Sequence, residues 1–204
     1  ELIDSTNPCQ EQNNWKASQH AAGGTPGQKN QTSNTPIAMV AAKPQYSFVK
    51  NASALHIVFN QPLDSTAISK GQWIITSAGI TWQSIRLMPP KYTEAIISLS
   101  QPLLPDSIIQ LTIKELTNCN GIKEERSFVI KTGLASPATN RTVVLNEVLF
   151  NPRSGGEEFV ECLNNGKKII ALSDLRIAIR NSGGQLGSSY RLAVDPIALL
   201  PGEQ

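Results

Sequence analysis

Leu55-His56-Ile57-Val58-Phe59-Asn60-Gln61-Pro62-Leu63-Asp64 is the stretch on which the fold turns. Leu55, Ile57 and Phe59 alternate with His56 and Val58, so an extended backbone sends three large apolar side chains to one face and His56 to the other. A period of two returns at Ile109, Leu111 and Ile113. Breaks containing proline at Gln61-Pro62, Pro89-Pro90, Gln101-Pro102 and Pro105 separate the short runs, as in an antiparallel sandwich of about seven strands. Strands are expected near residues 37–42, 46–50, 54–60, 72–77, 80–87, 93–100, 107–115 and 126–131.

Toward the C-terminus, residues 134–139 form a short Ala, Ser and Pro linker. Further strands are expected over residues 143–150, 157–164, 168–180 and 190–200, with turns at Gly155-Gly156, Asn165-Gly166 and Gly183-Gly184. Asn165-Gly166 is the strongest hairpin signal in the chain. Toward the N-terminus, residues 1–36 are dense in Asn, Gln, Ser, Thr, Gly and Pro, and only Leu2, Ile3 and Trp15 offer substantial apolar surface. Such a stretch cannot fold alone. If ordered, Leu2-Ile3 is expected to add an edge strand, and Gly23-Gly24-Thr25-Pro26-Gly27 to turn through the positive φ that glycine permits.

The 204 residues suffice for one large or two small domains. Aromatic residues are 5% and charged residues 17%, a profile of β modules rather than helix bundles. Eighteen Lys and Arg against 16 Asp and Glu leave a charge of +2 with no basic block or acidic tail, so nothing steers the chain to nucleic acid or to a membrane surface. No run approaches the roughly 20 apolar residues of a membrane span, and the first residues lack the pattern of a signal peptide, as in a processed or trimmed chain. Cys9, Cys119 and Cys162 lack metal-ligand spacing and permit at most one internal disulfide; three buried free thiols are expected.

Residues Leu55 to Asp64 resemble the apolar strand, proline turn and fresh strand of bacterial Ig-like domains of surface proteins. Ile109 to Ile113, leading to Leu116-Thr117-Asn118-Cys119-Asn120-Gly121, is similar to that family's closing motif, with Asn118 where Asp is usual and Ile122 where Asn is usual. Val144 to Pro152 and Glu158 to Gly166 resemble the opening of a bacterial lamin-tail domain, and Asn14 to Ser18 with Gly23 to Asn30 resembles its close. The resemblances imply an all-β chain: a closing lamin-tail segment or extended linker at residues 1–35, an Ig-like β-sandwich at 36–134, and the front part of a second, partial β-sandwich of lamin-tail type at 135–204. Since an incomplete sandwich leaves open edges, residues 1–20 are expected to pair with the C-terminal module, within the chain or between molecules.

Each group of residues that could carry chemistry has a structural reading beside it. Glu147, Glu157, Glu158 and Glu161 cluster in the manner of calcium-binding or acid-base groups, but no Asp-rich loop accompanies them, and solvated or backbone-bonded glutamates explain the pattern. Trp73 and Trp82 are the aromatic candidates for a sugar-stacking platform; their apolar neighbours favour packing instead. His20 and His56 have no nucleophile near them in sequence. The glycine pairs neither follow a strand nor open a helix, as a phosphate loop must. Asp4-Ser5-Thr6, Asp64-Ser65-Thr66 and Asp106-Ser107-Ile108 fit the O-glycosylation pattern of exported Bacteroidetes proteins, in whose arrays such modules occur, making Ser5, Ser65 and Ser107 candidate acceptors; turn chemistry also favours Asp-Ser. Asn-x-Ser/Thr matches at Asn30, Asn51 and Asn140 carry little weight.

The sequence therefore leads to an exported, non-catalytic spacer or interaction module of the cell surface, periplasm or extracellular space. No catalytic residue, metal or cofactor is expected, and no nucleic-acid binding or direct membrane insertion. Expected partners are neighbouring modules of the same polypeptide, a surface glycan or protein, and a second molecule through strand exchange. The alternatives are a carbohydrate-binding or adhesive module, and an accessory region of an extracellular hydrolase or nuclease.

Overall fold

The computed structural model describes residues 1–5, 7, 14–33, 40–66, 68, 72–77 and 79–204. These residues are organised by antiparallel strands, as expected for an all-β chain. Strands β1 (Pro44–Asn51), β2 (Ala54–Phe59), β4 (Trp82–Leu87) and β5 (Glu94–Leu99) form one sheet in the order β1-β2-β5-β4. Strands β3 (Gln72–Ile75), β6 (Ile108–Lys114) and β9 (Phe128–Gly133) form a second, in the order β3-β6-β9. A small ribbon, β7 (Leu116–Thr117) with β8 (Lys123–Glu124), follows β6.

Alternation makes the sandwich. Leu55, Ile57 and Phe59 of β2, Ala95, Ile97 and Leu99 of β5, and Ile109, Leu111 and Ile113 of β6 are all buried in one apolar cluster. Trp73 of β3 joins them and meets Phe59 edge-on, with ring centroids 6.2 Å apart. The register places Leu55 opposite Ile97 and Leu111 opposite Ile130, so a slip of one residue would turn these side chains to water.

One sequence expectation is not met at the sandwich's entry among the described residues. Residues 37–39 of the strand expected over 37–42 lie outside the described residues, and 40–43 run without strand pairing until β1 opens at Pro44. Side chains hold this run instead: Asn118 Nδ2 donates to the Val40 carbonyl (3.0 Å), and Lys43 N donates to Asn60 Oδ1 (2.7 Å).

The C-terminal region contains β10 (Val143–Leu149) paired with β11 (Phe159–Asn164), β12 (Ile170–Ala171) paired with β15 (Ala198–Leu199), and β13 (Arg176–Arg180) paired with β14 (Leu186–Arg191). The strand expected over 168–180 is broken by a 3-10 turn at Leu172–Asp174, closed by Leu175 N donating to the Leu172 carbonyl. The run expected over 190–200 divides between β14 and β15.

Asn165-Gly166 does not make the hairpin its sequence advertises: β11 pairs only with β10, and β12 goes to β15. The reason is Asn164, fully buried, whose Nδ2 donates to the carbonyls of Lys168 and Leu199 (2.8 Å each) while Oδ1 accepts from Gly166 N (3.0 Å). That side chain ties the turn to β15 instead of folding it back on β11. Gly183-Gly184 does turn one strand into its neighbour, joining β13 to β14.

Within the described part of the N-terminal segment, strand-like contacts are internal. Leu2 bridges Trp15, Ile3 N donates to the Asn14 carbonyl (2.8 Å) and Lys16 N to the Glu1 carbonyl (2.9 Å). Buried Asn14 holds Asp4 by exchanging two 2.7 Å bonds with its backbone. Among the described residues of 1–20, strand-like pairing joins 1–3 to 14–16 rather than to the C-terminal region, because this local partner satisfies the same backbone groups.

Candidate functional site

The strongest constellation of polar contacts joins the sandwich to the C-terminal region. Asp106, between Pro105 and β6, adopts φ 62°, the left-handed conformation that Asp tolerates better than most residues. Its Oδ2 accepts from Ser136 Oγ (2.8 Å) and its Oδ1 from Ile169 N (2.9 Å), so one carboxylate grips both the linker and the strand region beyond it. Ser136 N donates to the Ile169 carbonyl (2.9 Å). Gly133 leaves no space here: a Cβ would lie 2.4 Å from Ile169 Cδ1 and 2.4 Å from the Ser107 carbonyl oxygen.

A second contact lies along the sandwich's edge strand. Phe48 of β1 bridges Ile197, and Tyr46 Oη donates to Asp195 Oδ2 at 3.1 Å. Burial, followed by that bond to Asp195, raises the Tyr46 phenol above its ordinary value of 10. Phe48 stacks on His56 with centroids 4.7 Å apart, and His56 Nδ1 lies 2.6 Å from Glu94 Oε1. His56 does stand opposite the core face of β2, yet it is buried. Its ring is held by the Phe48 ring and the Glu94 carboxylate.

Trp73 and Trp82 take different places. Trp73 is 4% exposed and belongs to the core, whereas Trp82 is 43% exposed and donates its indole N–H to the Trp73 carbonyl (2.7 Å). They do not form a shared open platform. Among the candidate acceptors, Ser5 and Ser65 are exposed. Ser107 is half-buried at the junction, its Oγ donates to the Leu104 carbonyl, and the preceding Asp106 is engaged as described.

Glu147 and Glu161 stand directly opposite each other on β10 and β11, with Asn146 Nδ2 donating to Glu161 Oε1. Among the described residues, no three His, Cys, Asp or Glu side chains are arranged to hold a metal ion. Two other carboxylates are strongly bound. Arg126 donates Nε (3.0 Å) and Nη2 (2.8 Å) to Glu124, which holds that carboxyl down at about 2. Thr25 Oγ1 and Ser18 Oγ donate to Glu1, which also sits at about 2, Thr25 being the larger influence.

The expectation of three free thiols is corrected. Cys119 is disulfide-bonded and Cys162 is a half-buried free thiol; Cys9 lies outside the described residues.

The sequence reading missed the junction. Asp106, Ser136, Ile169, Tyr46 and Asp195 are far apart in the chain, and no local pattern brings them together.

No family model and no curated protein matches the chain. It is similar to two solved structures of surface layer proteins. One is the surface layer protein SbsC, domains 1–6, at 13% identity and TM-score 0.43, over 73% of this chain and 22% of that one. The other is the N-terminal part of the bacterial S-layer protein SbsC, at 14% identity and TM-score 0.40, over 72% of this chain and 37% of that one. The chain thus spans between about a fifth and two fifths of the length of these structures.

Proposed function

We propose that this chain is a rigid, non-catalytic spacer of an exported cell-envelope protein, in which an Ig-like domain at residues 36–134 is held at a fixed angle to a lamin-tail-type module at 135–204, with residues 1–35 as a closing segment. The Ig-like reading is supported by the strand order: β1-β2-β5-β4 against β3-β6-β9 corresponds to the order ABED against CFG of the seven-strand immunoglobulin arrangement. Export is supported by the disulfide at Cys119, since such bonds persist in oxidising compartments. Rigidity is carried by one observation, the carboxylate of Asp106 bonded to both Ser136 and Ile169. A spacer transmits position only if its joints do not bend.

Small-angle scattering of the protein and of Asp106→Ala tests this. A single narrow distribution of dimensions is expected for the native protein and a broader, larger one for the variant. A native protein already broad, or a variant indistinguishable from it, overturns the reading.

A carbohydrate-binding role is favoured by one observation, the half-open indole of Trp82. Iodide quenching with and without a glycan panel decides it: protection of the exposed tryptophan fluorescence by a sugar, lost in Trp82→Ala, supports binding, and no protection by any sugar excludes the panel.

A further inference from the structure

The C-terminal region holds two ribbons whose charges are wrong for isolation and right for each other. In β10–β11, Glu147 faces Glu161, while the adjoining loop adds Glu157 and Glu158. In β13–β14, Arg176 faces Arg191, and Arg180 shares the face of Arg176 by strand alternation. Like charges directly opposite on neighbouring strands destabilise the pair, so each ribbon has a repulsion that an opposite charge would relieve. The ion pairs among the described residues are His56–Glu94, Lys123–Glu115 and Arg126–Glu124, and none draws on these ribbons.

Both ribbons are also open, and on the faces opposite these charges Leu145 is 63% exposed, Ile179 82% and Tyr190 68%. Among the described residues each consists of two strands only, which is marginal alone in water. Within one chain the ribbons do not pair, since β10 is joined only to β11 and β13 only to β14.

We propose that the chain self-associates, the acidic β10–β11 ribbon of one copy seating on the basic β13–β14 ribbon of a second copy. Charge complementarity selects the occupant: the face of β13–β14 that carries Arg176, Arg180 and Arg191 is opposite in charge to the face of β10–β11 that carries Glu147 and Glu161. The contact joins two different surfaces, so it either closes as a two-fold dimer when two copies exchange it reciprocally or propagates head to tail. It stands apart from the spacer reading, which a monomer would leave intact.

Charge reversal tests it on the 204-residue chain. One variant carries Glu147→Lys with Glu161→Lys, making both ribbons basic; the other carries Arg176→Glu with Arg191→Glu, making both acidic. Sedimentation velocity from micromolar to millimolar concentration is expected to show native self-association, weakened about tenfold on moving from low salt to molar salt, where the screening length falls to about 3 Å. Each variant alone is expected to be monomeric, and their mixture to associate again. Circular dichroism and the thermal midpoint report whether both variants retain the native fold, which is expected because every substituted side chain is exposed or half-buried. A native chain monomeric throughout overturns the proposal, as does association that persists in both variants or fails to return on mixing.

Discussion

The sandwich and the C-terminal ribbons are built from the same kinds of residue and spend them differently. In β6 the burial alternates strictly, with Ile109, Leu111 and Ile113 inside, because a second sheet stands across from it. In β14 every residue is exposed, although Leu186 and Tyr190 would suit a core. Period two is therefore evidence of a strand, and becomes evidence of a core only when an opposing sheet exists. Buried residues of the C-terminal region, Ile169, Ile170, Leu199 and Leu200, gather where it meets the junction and the β12–β15 pair.

The sharpest way to break this comparison is to truncate one isoleucine in each region. Ile97→Ala, at a fully buried site, is expected to lower unfolding stability by about 2–5 kcal/mol, by lost transfer energy and the cavity left behind. Ile179→Ala, at a site 82% exposed, is expected to change it by no more than about 0.5 kcal/mol. Urea unfolding of the two variants checks both; equal losses would mean that Ile179 is packed in solution.

A smaller effect separates polar from apolar support. Asn164→Ala removes the side chain that holds the Lys168 and Leu199 carbonyls, and is expected to cost about 1–3 kcal/mol. The loss is expected in the C-terminal region, with hydrogen exchange rising at residues 164–171 and 198–200 while the sandwich amides stay protected. Exchange rising equally in both regions would show that the two unfold as one unit.

The smallest expected effect concerns acid. The Glu124 carboxyl is held at about 2, below its ordinary 4.5, first by the Arg126 side-chain bonds. A depressed folded value favours the folded state above the unfolded value, and that advantage disappears as pH falls from 4.5 through about 2. Thermal midpoints of the native protein and Glu124→Gln are expected to differ at neutral pH and to converge across that window. A difference independent of pH would show that the carboxyl's charge contributes nothing there.

Much of the sandwich was legible because its information is local. Leu55, Ile57 and Phe59 name their face without reference to any other strand, and Pro62 ends the run by lacking a donor. Asn165-Gly166 was misread for the opposite reason: the residue that decides that turn is its neighbour Asn164, and what decides Asn164 is the Leu199 carbonyl 35 positions away. His56 was correctly set opposite the core, but alternation says nothing of what lies on the second face, where Phe48 and Glu94 enclose it. Trp73 and Trp82 look alike in sequence and both lie on edge strands, yet differ in exposure because Trp73 faces the core between the sheets and Trp82 does not.

By itself the sequence determined the strand period, the core side of β2 and β6 and the all-β class, since each follows from the spacing of apolar residues and from the backbone limits of proline and glycine. Only the tertiary structure decided that Asp106 joins the two regions, that Cys119 is oxidised while Cys162 is free, and that the acidic and basic ribbons remain apart within one chain. Those outcomes depend on groups distant in sequence being brought within a few ångströms, and no local pattern encodes that distance.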